Sequence, residues 1–241
     1  MEKLVIYQVF TRLFGANASK NVSNGTKKEN GCGKMADFTS AALAEIKKLG
    51  ATHIWYTGLI EHATKSDYTS YGIPKDHPAV VKGNAGSPYA IKDYYDIDPD
   101  LATKVPERMK EFERLVVRTH KAELKVIIDF VPNHVARQYH SDAKPEGVLD
   151  LGEDDDTTMS FNPHNNFYYL PGTTFSPSFS LYDEEMGDYV EKPAKVTGND
   201  CFTQWAGQND WYETVKLNYG VDYQGSHQLV FCPSTPDTWL K

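Results

Sequence analysis

The strongest constraint on this chain is the order of its apolar segments. Three short apolar runs, "KLVIYQVF" (3–10), "ATHIWYTGL" (51–59) and "KVIIDFV" (125–131), are each separated from the next by a helix-like pattern. In "DFTSAALAEIKKLG" (37–50), Phe38, Ala42, Ile46 and Leu49 recur at spacings of four and three, which predicts an amphipathic helix. Asp37 is placed to cap its start. Lys47 and Lys48 suit its negative C-terminal end, and Gly50 the position just past it. A second helix is expected from about 105 to 123, with Pro106 in its first turn and Val105, Met109, Phe112 and Val116 on one face. Strands alternating with helices predict a parallel sheet with right-handed crossovers.

The connections are asymmetric. The helix-to-strand joints are short, at Gly50 and at Glu123-Leu124-Lys125, whereas the loops after the strands are long. In a (β/α)8 barrel the loops after the strands build the active site, and the opposite loops only close the fold. From 135 to about 230 the pattern changes to Asp, Asn, Pro, Gly and Tyr, with short strand-like pieces such as "NFYYL" (166–170) and "HQLVF" (227–231). The stretch reads as an irregular, partly β insertion after the third strand. In "PSTPDTWLK", Thr235, Pro236 and Asp237 carry the signals of a helix start, four residues before Lys241.

A formal net charge of -8 over 241 residues argues against nucleic acid, whose phosphates attract Lys and Arg. It suits an uncharged substrate, and the 15 Tyr and 4 Trp include flat rings of the kind that cover the C–H faces of sugars. No run approaches the ~20 apolar residues of a membrane span. The N-terminal apolar run is too short and too polar for a leader, so a cytoplasmic location is expected, or a secreted or periplasmic one with a leader removed. The 3 cysteines, Cys32, Cys201 and Cys232, form neither a disulfide framework nor a metal-ligand pattern. They read as free thiols, or as a free Cys32 with a Cys201–Cys232 pair. The sequons at Asn17, Asn21 and Asn24 read as a polar loop.

The third apolar run carries a carboxylate, Asp129, and breaks on Pro132-Asn133-His134. A buried carboxylate is costly unless paired, but tolerable where a sheet opens to a cleft. Asp129, Asn133 and His134 would then form a polar cluster at the strand's C-terminal end, suited to sugar hydroxyls. A satisfied core Asp and a surface Asn-His turn is the alternative.

"DFVPNH" resembles the first conserved region of the α-amylase family, glycoside hydrolase family 13, in which Asp-x-x-x-Asn-His closes the third barrel strand. "VIYQVFTRLFG" resembles that family's first strand, "FTSAALAEIKKLGATHIWYTGLIE" its first helix and second strand, and "SPYAIKDYYDIDPDLAT" (87–103) its Tyr-rich segment, with Pro88 where the family usually has Gly. The resemblance implies an α/β fold: the first three strands of a (β/α)8 TIM barrel over residues 1–134, a B-domain insertion over 135–232, and at 233–241 the start of the helix leading to strand four. The barrel is incomplete in this reading. The rest would come from a missing C-terminal half, or self-association would cover the open sheet edge.

The resemblance also implies roles. His134 matches the histidine that hydrogen-bonds the sugar in the cleavage subsite, Tyr89 the tyrosine that stacks on it, Asp129 the anchor of the polar network, and Asn133 a ligand of structural calcium. Calcium takes about six to eight oxygens. "GEDDDT" (152–157) reads as a solvated acidic loop rather than a calcium loop. The implied activity is retaining cleavage of α-glucosidic bonds in starch-like glucans or maltooligosaccharides, which needs two carboxylates about 5 Å apart. The family's nucleophile lies in Gly-x-Arg-x-Asp. No such motif occurs here, and no Arg follows Arg137. No catalytic residue is therefore expected in this chain. The nucleophile and the acid/base are expected beyond Lys241, and the chain alone is expected to be inactive. A non-catalytic, sugar-binding or transporter-accessory relative is the rival. A Gly-x-Ser-x-Gly elbow, which would mark another class of hydrolase, is absent.

Overall fold

The computed structural model describes residues 3–17 and 20–223. The expected strand 227–231, Cys232 and the helix start from Thr235 to Lys241 lie outside the described residues. So does the expectation that the catalytic carboxylates follow Lys241, which the described residues do not reach. The chain forms two compact units. The first takes the residues through Lys75, 83–89 and 93–130; the second takes 76–82, 90–92 and the residues from Val131 onward. Among the described residues, no helix is long and apolar enough to cross a membrane.

In the first unit the elements run β1 (Ile6–Phe10), α1 (Ser40–Lys48), β2 (His53–Thr57), β3 (Ile60–His62), β4 (Ile91–Ile97, counted in this unit from Asp93), α2 (Arg108–Lys121) and β5 (Lys125–Ile128). β1, β2 and β5 form one parallel sheet in that order, as the alternation predicts. Ile6 pairs with His53 and Phe10 with Thr57; His53 pairs with Lys125 and Tyr56 with Ile128. Neither ladder slips, so all three strands end at one level. β3 and β4 form a separate two-stranded sheet.

One apolar core joins the sheet to both helices: Phe38, Leu43 and Ile46 around α1, Ile54 and Tyr56 from β2, and Leu115 from α2. Phe14 stacks on Phe38 at 4.1 Å between centroids, and Phe38 meets Tyr56 edge-on at 4.9 Å. Buried Tyr56 shares a 2.6 Å hydrogen bond with Thr119 of α2. Burial pushes its phenol up to about 12. Arg118 donates to the carbonyls of Phe38 (3.1 Å) and Met35 (2.8 Å), which ties α2 to the turn before α1.

Several local expectations are corrected. α1 is capped by Thr39, whose hydroxyl accepts from Ala42 N–H at 3.2 Å; Asp37 instead accepts from Lys34 N–H at 2.6 Å, one turn earlier. Leu49 is 71% exposed, and Leu43 is buried instead. The helix ends at Lys48, so Leu49 leaves the stripe on which its spacing places it. On α2 the inward positions are Glu111, Leu115 and Thr119, while Met109 is exposed. Glu111 tolerates burial because its two oxygens accept from the backbone N–H groups of Thr103 (2.9 Å) and Lys104 (2.8 Å). β1 begins at Ile6, and Leu4 and Ile6 are exposed rather than covered. β5 ends at Ile128, so Asp129 follows the strand instead of lying within it.

The second unit is built from very short antiparallel ladders. β6 (His134–Ala136), β7 (Tyr169–Leu170), β8 (Tyr182–Asp183), β9 (Gly187–Asp188), β10 (Ala194–Lys195) and β11 (Thr214–Lys216) pair as β6–β11, β7–β10 and β8–β9. Of the expected strand 166–170, only Tyr169 and Leu170 lie in a ladder, and Phe167 makes an isolated bridge to Leu217. The core gathers Tyr168, Leu170, Phe175, Ala194, Val196 and Ala206. Arg137 runs through it, fully buried. It donates to the carbonyls of Tyr212 (2.7 Å) and Thr214 (3.1 Å), pairs with Glu191 at 2.6 Å and lies 3.9 Å over the Phe175 ring. The "GEDDDT" loop is not simply solvated. Asp155 accepts from the N–H groups of Asn166 (2.6 Å) and Phe167 (3.0 Å) and from Tyr169 Oη (2.9 Å), and burial raises its carboxyl above the usual range.

The corrected helix face predicts unequal losses. Leu43→Ala should cost about 2–5 kcal/mol in urea unfolding, and Leu49→Ala should stay within about 0.5 kcal/mol of the parent. Equal losses would return Leu49 to the core.

Candidate functional site

The unslipped register brings the ends of β1, β2 and β5 to one rim. There Thr11 extends the first ladder, its N–H donating to Thr57 O at 3.1 Å. Asp129 follows β5 and is held by two donors from the neighbouring strand and its turn: Trp55 Nε1–H, in a short hydrogen bond to Oδ1, and Gly58 N–H, 3.1 Å from Oδ2. Gly58 sits at φ +75, and a Cβ there would come within 3.0 Å of both the Phe10 ring and Pro88. Only glycine satisfies that conformation and that packing together. Pro88 precedes Tyr89, so the loop carrying Tyr89 is seated on the same turn that binds Asp129. Tyr89 is 45% exposed.

Beside this rim lies a charged network that the motif reading did not single out. Asp98 and Asp100 are both buried. Arg12 Nη2 is 3.3 Å from Asp98 and 3.4 Å from Asp100; Lys27 Nζ is 2.6 Å from Asp100, and Tyr68 Oη donates a short hydrogen bond to it. His62 Nδ1 lies 3.4 Å from Asp98. Burial raises the Asp98 carboxyl. Burial pushes Asp100 the same way, but hydrogen bonds from Lys27 and Tyr68 outweigh it and leave that carboxyl below the usual range. A cavity of ≈ 880 Å³ adjoins the network, lined among others by Arg12, Lys20, Lys27, Lys65 and Asp100. Asp98-Pro99-Asp100 of "DIDPD" is the sequence signal by which the network could have been found.

A second acidic group consists of buried Glu61, Asp93 and Asp96, each offering a carboxylate oxygen within 4.8 Å of the others. Such a donor set matches the chemistry of a hard cation such as calcium rather than zinc. Asp96 is already paired with Arg108, whose Nε lies 2.9 Å away, so a cation there would share that carboxylate.

The other two sequence-predicted residues belong to the second unit. Asn133 is exposed, and its backbone carbonyl accepts from Leu217 N–H at 3.1 Å. His134 does not lie on an open turn. It opens β6, opposite Lys216, and is only 5% exposed. Its ring lies 5.1 Å from that of Trp211 at a 55° tilt. Tyr89 and Asp129 are thus organised by the sheet rim of one unit, and Asn133 and His134 by the β6–β11 ladder of the other.

The family model for the alpha-amylase catalytic domain matches residues 8–212. Trehalose-6-phosphate hydrolase of Bacillus subtilis is 29% identical over 138 residues, 57% of this chain and 18% of that protein. The amino acid transporter heavy chain SLC3A1 of Rattus norvegicus is 45% identical over 51 residues, 21% of this chain and 7% of that protein. Among solved structures, a maltogenic alpha-amylase of Thermotoga neapolitana is similar over 56% of this chain and 25% of its own, at 27% identity and a TM-score of 0.38. The chain thus spans less than a fifth of the length of either of those two relatives.

Asp129→Ala would leave the Trp55 and Gly58 N–H groups without their acceptor. The expected loss is about 1–3 kcal/mol in urea unfolding, with a smaller loss for Asp129→Asn, which keeps one acceptor oxygen. An Ala variant as stable as the parent would show that the carboxylate is not the anchor of this rim.

Proposed function

The chain belongs to the alpha-amylase family, matched over its catalytic domain, and on that premise we propose that it contributes the sugar-gripping part of a glycosidase acting on α-glucosidic bonds of starch-like glucans or maltooligosaccharides. The family's catalytic domain is a TIM barrel. In the proposed division, β1, β2 and β5 are its first three strands within 1–134, residues 135–232 form a B-domain insertion, and 233–241 begin the helix toward strand four.

The observation that carries this reading is the rim. Three parallel strands end together, and the long loops that follow them hold Tyr89 and Asp129 through Gly58. Tyr89, with its ring partly open, is the stacking residue of the rim, and Asp129 positions that rim without touching substrate. His134 is the hydrogen-bonding residue of the second unit, acting through its imidazole. Retaining cleavage needs a nucleophilic carboxylate and an acid/base carboxylate. The Gly-x-Arg-x-Asp that would supply the first is absent from these 241 residues, and in this reading both carboxylates follow Lys241. Binding without cleavage is therefore the proposed property of this chain. Calcium, where the family uses it, would be held here by the oxygens of Glu61, Asp93 and Asp96 or by Asn133, and would supply rigidity.

The match to a transporter heavy chain supports a second reading, a non-catalytic relative that keeps the sugar-facing residues. Both readings expect sugar binding and differ in whether the whole protein carries the missing carboxylates.

The 241-residue chain should bind maltotetraose in calorimetric titration and release no reducing sugar from it. His134→Ala should weaken binding about tenfold, the size of one lost hydrogen bond in a buried setting. Release of reducing sugar would defeat the claim that the catalytic pair is missing. No binding at millimolar sugar would defeat the sugar site itself.

A further inference from the structure

We propose that Trp211 is a sugar-stacking residue that works as a pair with His134. The inference rests on the reading of His134 as sugar-facing and adds a binding residue from a distant part of the sequence.

The turn before β11 fixes the position of Trp211. Its carbonyl accepts from both the N–H and the hydroxyl of Thr214, each at 2.8 Å. β11 pairs with β6 antiparallel, Thr214 opposite Ala136, so that turn lies beside the end of β6, two residues from His134 along the strand, and the indole lies 5.1 Å from the imidazole. His134 is backed from another direction. A Cβ at Gly198 would lie 2.8 Å from His134 Cβ, 3.0 Å from its Cγ and 2.4 Å from Thr214 Oγ1, so the backbone at 198 presses directly on the histidine. Gly198 N–H also donates to Thr214 Oγ1 at 3.2 Å. Thr214 thereby ties together the backbone that carries Trp211 and the backbone that presses on His134.

Consecutive residues divide the work. Tyr212 packs into the apolar core of the second unit and meets Phe179 edge-on at 4.5 Å. Trp211 is outside that core and 41% exposed, and its one ring partner among the described residues is His134. A partly open aromatic ring beside a nearly buried imidazole suits a ligand with an apolar face and polar edges. A pyranose is such a ligand. Its C–H face covers the indole while one hydroxyl meets the imidazole. An anionic or purely apolar ligand would use only half of the pair.

The test uses the whole chain and maltotetraose. Trp211→Ala should weaken binding about tenfold, and Trp211→Phe, which keeps a flat ring, by no more than about threefold. Tryptophan emission of the parent should change on saturation with the sugar, and Trp211→Phe should lose that change. Should Trp211→Ala fail to fold, the Phe variant and the emission change decide. If His134→Ala weakens binding while Trp211→Ala binds as the parent does, or if the parent's emission is indifferent to bound sugar, Trp211 plays no part and the sugar site stands without it. If neither variant alters binding, the sugar-site reading falls and takes Trp211 with it.

Discussion

Unslipped parallel pairing is the constraint from which the rim follows. Side chains alternate along a strand, so a shift of one residue between β2 and β5 would turn every facing residue to the other side. With Ile54 on Val126 and Tyr56 on Ile128, the residue after β5 falls beside the turn after β2. That coincidence lets one carboxylate, Asp129, take both the Trp55 and Gly58 N–H groups. It also seats Pro88, and hence Tyr89, against a glycine that cannot be enlarged.

Buried charge plays the corresponding part where regular structure is scarce. The second unit has ladders of two or three residues, too short to satisfy its backbone alone. Arg137 fills the gap, donating to the carbonyls of Tyr212 and Thr214 on one segment and of Lys195 on another, while Glu191 balances its charge. In the first unit, Arg12 and Lys27 hold Asp98 and Asp100 together against desolvation and mutual repulsion. Such pairs contribute little net stability, but breaking one by removing a partner is costly. They fix geometry more than they add free energy. That suits a site whose side chains must be held still for a ligand.

Family membership sets the expected chemistry. On the proposed reading Tyr89 and His134 bind, and the carboxylates that break the bond belong to motifs these 241 residues do not contain. Trp211 extends the binding role within the second unit, where the β6–β11 ladder converts a long sequence separation into a ring contact.

The sequence by itself determined the order of elements, the parallel sheet, and the short and long sides of the connections; it put Asp129 inside the third strand, which ends one residue earlier. Each of these rests on local patterning: apolar periodicity, caps and breakers act between neighbours in the chain. It misjudged Leu49 and Met109, because an apolar residue at the right spacing still needs a helix that continues far enough, or a partner to cover it. It also missed Asp155 as a backbone acceptor and the Arg12–Asp98–Asp100 network. Only the tertiary structure decided which donors meet those carboxylates, that His134 opens a ladder instead of a turn, and that an indole lies beside it. Those facts depend on pairing between segments far apart in the chain, and the free energy of such contacts exists only once the whole chain has closed around them.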